Sequence, residues 1–219
     1  VDTAKCPNLM SIASTYGLTL DDGYIYEGQE SSYMVYPYAV LPELREHDIN
    51  KSLISKNYHT IAVACQSVVN TELQKQGLKF EPILSTSDEA YIKTGDNTSV
   101  NKEKGDKEGP FNIAVAVTDS TYTDKEHTTK LIVSGCSYYF IDPSTDSMVN
   151  NGNSTFMVNG INWLNNNSDS IYIAPKSLES SSIVVDAGSA SAIKLISWVV
   201  IPAVLFIAGF VVWVTRRNR

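Results

Sequence analysis

Residues 195–214 read LISWVVIPAVLFIAGFVVWV, and no charged residue falls between Lys194 and Arg216. As a helix rising about 1.5 Å per residue, this stretch covers roughly 30 Å, the thickness of a bilayer's hydrocarbon core. Pro202 and Gly209 weaken a helix in water but are tolerated in one that crosses lipid. Trp198 and Trp213 sit near opposite ends, where indole rings favour the membrane–water boundary. The competing reading is a buried helix of a soluble core; the length and the lack of charge favour lipid. The sequence therefore predicts one transmembrane helix over 193–215, ending in a basic tail over 216–219.

The flanking charges give the segment a direction. Arg216, Arg217 and Arg219 follow it, against the single Lys194 before it. Positive residues stay on the cytoplasmic side, so the C-terminus is expected inside and the bulk of the chain outside, at the cell membrane. Such a chain must be exported, yet it opens at Val1 with neither an initiator Met nor an apolar leader. The expectation is a removed signal or anchor, or a longer parent chain of which this is the C-terminal part.

The charge balance narrows the partners. The chain carries −7 overall; from Lys194 onward there are four cations and no acid, which leaves −11 on the rest. An acidic outer portion argues against nucleic acid as a partner. Cys6, Cys65 and Cys136 are odd in number and widely spaced, so they form neither a disulfide framework nor a CxxC metal site. Cys65 and Cys136 close apolar runs and are expected to be buried.

Before the anchor, 1–176 has the length and composition of one α/β domain, and 177–192 is a Ser-rich spacer. A short helix is predicted over 7–16, with Leu9, Ile12, Ala13 and Tyr16 on one face and Gly17 as its left-handed stop. Asn50 is placed as the cap of a helical turn. The Tyr-rich stretch 31–41 reads as extended. Apolar β-branched runs at 60–65, 111–118 and 130–134 suit strands buried on both faces, as in an α/β sheet, with a shorter strand at 79–84. The polar stretch 95–109 reads as a mobile loop. A helix over 153–164 is expected, capped by Asn153 or Ser154, with Met157, Ile161 and Leu164 as its apolar stripe. A short strand is expected at 170–173.

Chemistry is sparse. Ser134, Gly135, Cys136, Ser137 and Tyr138 follow a predicted strand, a placement that suits a nucleophile at a tight turn, with His127 the nearest base in sequence. Tyr138 is too bulky for such an elbow and His127 lies in a polar run, so a buried strand-end Cys is the favoured reading. His47, His59 and His127 lack metal-ligand spacing, and His47-Asp48 reads as a solvated turn. There is no phosphate-cradling glycine loop, so no ATP hydrolysis is expected from this chain. No catalytic residue, metal or cofactor is assigned.

A further pattern lies in the order of segments. Tyr16-Gly17-Leu18 is followed by 46–53 (EHDINKSL), 84–88 (LSTSD), Gly109-Pro110-Phe111, 131–137 (LIVSGCS), 159–164 (NGINWL), 173–176 (IAPK) and an anchor ending in Arg216-Arg217. In this order they resemble the GldG-like auxiliary family of ABC transport systems, some members of which serve gliding motility. The resemblance implies an extracytoplasmic amidotransferase-like (flavodoxin-like) three-layer α/β domain without catalysis, and a longer parent chain holding its earlier half. It implies an ABC permease and a cytoplasmic ABC ATPase as partners, besides the bilayer. Gly135, Ser137, Asn159, Asn162, Trp163 and Lys176 fall on the family's motifs as interface candidates, and Leu164 also matches the family's helix. Packing and capping are the plainer roles for Asn162 and Trp163. Cys136 stands where an acidic residue is expected and Asp48 where Pro is usual, so ligand contacts at those turns are not carried over. The alternatives are a cell-surface module gripping a ligand through Tyr24, Tyr26, Tyr33, Tyr36 and Tyr38, and a thiol enzyme using Cys136.

Overall fold

Strands form where the apolar runs lie, but they run in directions the sequence did not announce. The computed structural model describes residues 5–71, 76–95, 99–120, 128–137, 143–166 and 185–217. In chain order these contain α1 (Pro7–Thr15), β1 (Leu18–Leu20), β2 (Tyr24–Tyr26), β3 (Ala39–Val40), β4 (Glu43–Leu44), α2 (Lys51–Ser55), β5 (Ala62–Val63) and β6 (Val68–Asn70). Next come β7 (Leu78–Ser85), β8 (Tyr91–Lys93), β9 (Lys107–Glu108), β10 (Asn112–Asp119), β11 (Thr129–Ser134), α3 (Pro143–Met148) and α4 (Gly152–Leu164). A C-terminal helix, α5 (Ala187–Arg217), ends the described chain. The expected strand at 170–173 and Lys176 lie outside the described residues.

The largest sheet has the order β11-β10-β7-β4; β2-β8-β9, β1-β6 and β3-β5 form smaller ones. Every pairing among them is antiparallel. The expectation of strands covered on both faces holds for β10. Ala114 and Ala116 face a core with Ile25, Leu53, Ile83 and Phe156, while Val115 and Val117 face a second with Leu18 and Val68. What fails is the step from two-sided burial to the crossover-linked strands of an α/β sheet. A continuous apolar run reports that both faces are covered, not by what. Here α1 and the β1–β6 pair cover the second face, in place of crossover helices. A β-bulge at 112–115 lets Ile113 and Ala114 share one core. Each fully buried Val, Leu or Ile contributes about 1.5–3 kcal/mol.

Local expectations divide in the same way. Gly17 takes φ +71° just past α1. Leu9 and Ile12 are exposed, however, and only Ala13 of the predicted stripe is fully buried. Asn50 does not cap α2. Its amide donates to the Arg45 and Ile83 carbonyls, and the turn before the helix is held by His47, whose Nδ1 accepts from Ile49 N–H at 3.2 Å. His47 is buried, not solvated, so that expectation is corrected. Within 99–109 the chain is fixed rather than free. β9 pairs with β8, and the buried Lys93 ammonium lies 2.9 Å from Asp106 and 3.2 Å from Glu103. Burial alone would lower the Lys93 pKa; the two carboxylates outweigh it and raise it.

Among the described residues α5 is the one helix long and apolar enough to cross a membrane, and none of its apolar window is buried. It begins at Ala187, so the last residues of the Ser-rich spacer are helical. Asp186 caps it, accepting from Ser189 N–H at 2.8 Å and Ser189 Oγ–H at 2.7 Å. Residues Ile196–Val200 are π-helical. Pro202 supplies no N–H and its ring crowds the carbonyl four residues back, at Trp198, so the wider turn falls where an α-turn is obstructed.

Candidate functional site

The strand-end turn and α4 meet at one cleft. β11 ends at Ser134, whose Oγ accepts from Cys136 N–H at 3.2 Å and so pins the turn. Gly135 follows because the chain crosses there. Its N–H donates to the Ile113 carbonyl, its carbonyl accepts from Gln66 N–H, and a Cβ would lie 1.9 Å from the Gln66 oxygen. Cys136 is 3% exposed, and its thiol points at the Val63 carbonyl, 3.6 Å away. Burial pushes the neighbouring Cys65 thiol well above its usual range, and the proximity of Cys136 adds to the shift. Ser137 is exposed at the rim.

α4 supplies the opposite wall. Its N-terminus is held by Asp146 of α3, whose carboxylate accepts from Ser154 N–H at 3.0 Å and from the Ser154 hydroxyl. The expected Asn153 cap is corrected. Asn153 is buried and bridges to the chain before β5, accepting from Ile61 N–H at 2.9 Å and donating to the Ile61 carbonyl at 3.0 Å. The expected apolar stripe is also displaced. Phe156, Gly160 and Trp163 are buried and Met157 is half-buried against the same core, whereas Ile161 and Leu164 are exposed along the cleft.

The cleft has a volume of about 550 Å3 and is completed by Tyr24, Ala64 and Ile132. Its described lining holds no His, Asp, Glu, Lys or Arg. It offers apolar surface with hydroxyls at one end, an arrangement that receives an apolar group and orients it by hydrogen bonds. Among the described residues, no three His, Cys, Asp or Glu gather closely enough to hold a metal ion.

The remaining residues singled out from sequence divide by role. Trp163 is a packing residue. His47 meets its ring edge-on at 5.2 Å, and Lys130 sits 4.5 Å above it while donating to the Trp163 carbonyl at 2.9 Å. Burial lowers the His47 pKa; Glu81 and Asp48 oppose this, and Lys79 and Lys130 reinforce it. Asn159 ties α4 to α2, donating to the Ile49 carbonyl and the Ser52 hydroxyl at 2.8 Å each. Asn162 is half-buried. His127 lies outside the described residues. On α5, Trp198 and Trp213 are exposed, Arg217 lies 5.3 Å from the Trp213 ring, and Gly209 opens a notch beside Leu205, Phe206 and Phe210.

One group had no sequence signal. Glu27 is buried, and its carboxylate accepts from Gln29 N–H, Ser87 N–H and the Ser87 hydroxyl. Its partner lies sixty residues away in sequence, beyond the reach of any local pattern. No family model, curated protein or solved structure matches the chain.

Proposed function

We propose that this chain is a non-catalytic, membrane-anchored auxiliary subunit of an ABC transport system, acting with a permease and a cytoplasmic ATPase. The observation that carries the reading is convergence. Two of the segments on which the resemblance rests, the turn at Gly135 and Ser137 and the helix bearing Asn159, Asn162 and Trp163, form the two walls of one cleft. A second support is α5, unburied along its apolar window and notched at Gly209, where a small residue lets a permease helix approach closely. In this reading the domain is extracytoplasmic, Arg216 and Arg217 face the cytoplasm of a cell membrane, and the cleft receives an apolar element of the permease. The amidotransferase-like fold belongs to the same proposal.

The test is purification from native membranes in mild detergent through a C-terminal tag, with mass spectrometry of the proteins that co-purify. A permease and an ATPase in fixed ratio are expected; the chain alone, from membranes that contain both, overturns the proposal. The apolar cleft also favours a second reading, a cell-surface ligand-binding module, in which ligand affinity does not depend on a permease. A thiol enzyme at Cys136 needs rapid, selective labelling of that residue near neutral pH, which its burial opposes.

A further inference from the structure

We propose that the hairpin over 32–41 rests in the lipid headgroup layer beside the anchor, making a second contact between this domain and the bilayer. The inference rests on the membrane-anchor reading of α5 but not on the transport reading. Residues 31–42 carry no charge, in a portion of the chain that otherwise bears −11. The hairpin is fixed. Met34 N–H donates to the Ala39 carbonyl at 3.0 Å, Leu41 N–H to the Ser32 carbonyl at 2.8 Å, and Ala39 N–H to the Tyr36 carbonyl at 2.8 Å. At its tip Val35 is 74% exposed and Tyr36 54%, with the Tyr36 ring stacked on Tyr38 at 5.3 Å. A rigid tip showing an aliphatic and an aromatic side chain is suited to the membrane–water boundary, where tyrosine is enriched.

Position supplies the independent argument. The hairpin is joined to the base of the anchor, because Ala187 N–H donates to the Tyr33 carbonyl at 3.2 Å. Beside that bond, a Cβ at Gly188 would lie 3.6 Å from Glu30 Cβ, so the two backbones are close. From Ala187 to Lys194, the last charge before the apolar run, the helix advances about 10 Å. The headgroup layer is roughly 5–7 Å thick on each side of the hydrocarbon. Tyr33 therefore stands a few ångströms outside the headgroups, and Val35, two residues on along a chain that bends over 34–36, is near enough to reach them. The chemistry of the partner is that of an uncharged or zwitterionic headgroup layer.

The experiment uses the full chain in phosphatidylcholine vesicles, with Cys6→Ser and nitroxide labels placed singly at Val35→Cys, Tyr36→Cys, Leu9→Cys and Phe206→Cys. Cys65 and Cys136 are buried and remain. The readout is collision with oxygen, which partitions into lipid, against collision with a water-soluble nickel chelate. The oxygen-to-chelate ratio should be highest at 206, intermediate at 35 and 36, and lowest at 9. A ratio at 35 and 36 as low as that at 9, with oxygen dominance at 206, overturns the hairpin contact and leaves the anchor standing. Chelate dominance at 206 removes the anchor and this inference together. A ratio at 9 as high as that at 35 means that the whole domain adsorbs, which overturns a specific contact.

Discussion

His47 and Lys130 hold the Trp163 ring from two directions, and the pair makes a titration visible in stability. Burial lowers the His47 pKa below its ordinary 6.5. Above that value both states are neutral at this residue and it contributes no pH dependence. As pH falls below about 6.5 the unfolded chain takes up the proton first, so stability declines until the folded-state pKa is passed. His47→Asn keeps an acceptor for Ile49 N–H and removes the titration. We expect urea midpoints of the parent to fall between pH 7 and 5 and those of the variant to stay flatter. Two glycines give a paired prediction at the same scale. Gly135→Ala drives a methyl into the Gln66 backbone, which cannot swing aside, and should cost about 1–3 kcal/mol. At Gly160 the obstacle is the Ile132 Cδ1 at 3.2 Å, the movable end of a side chain. Gly160→Ala should therefore range from neutral to stabilising by up to about 1 kcal/mol through helix propensity. Thermal melts of both variants separate the two cases.

At the scale of elements, α4 depends on a cap that comes from another helix. Asp146→Ala leaves Ser154 N–H without its acceptor and removes a negative charge from the positive end of the helix dipole, so a loss of about 1 kcal/mol is expected. Hydrogen exchange should show it as faster opening of the first turn of α4, with α1 unchanged. The same element shows what the sequence could tell. Its existence and nearly its limits were legible, because Phe156, Gly160 and Trp163 recur at helical spacing as plainly as Met157, Ile161 and Leu164. Which stripe faces the core was not, since both are apolar and only the neighbours decide. The cap was missed for a related reason: Asn153 and Ser154 are good capping residues in isolation, and tertiary partners claimed both. Strands β7, β10 and β11 were legible as apolar runs, whereas their antiparallel pairing depends on register and on what covers the second face of β10. The Ser134 turn was read correctly as a strand end with a buried Cys136. Its meeting with α4, which creates the cleft, is a long-range contact that neither segment announces.

For the whole molecule, the consequential feature is that domain and anchor are joined rather than tethered. Asp186 caps α5, Tyr33 accepts from its first residue, and the helix then runs to Arg217. A domain held in this way presents one face to the bilayer, while a domain on a flexible spacer presents all of them in turn. Inserting a flexible Gly-Ser segment between Asp186 and Ala187 distinguishes the two. It separates the Asp186 cap from Ser189 and lets the Tyr33 bond and the approach of Gly188 to Glu30 open, without touching either core. The conformational cost of a longer connection grows only slowly, about 0.6 kcal/mol per doubling. The domain should therefore melt within a degree or two of the parent. The oxygen-to-chelate ratio at position 35 should nonetheless fall to that of position 9, because the hairpin is brought to the headgroups by the geometry of the join. The −11 carried before the anchor should draw the freed domain further from vesicles containing anionic lipid than from neutral ones, an effect that added salt weakens. If the label stays in lipid after the insertion, the hairpin binds the interface by its own affinity and the join is not what orients the molecule.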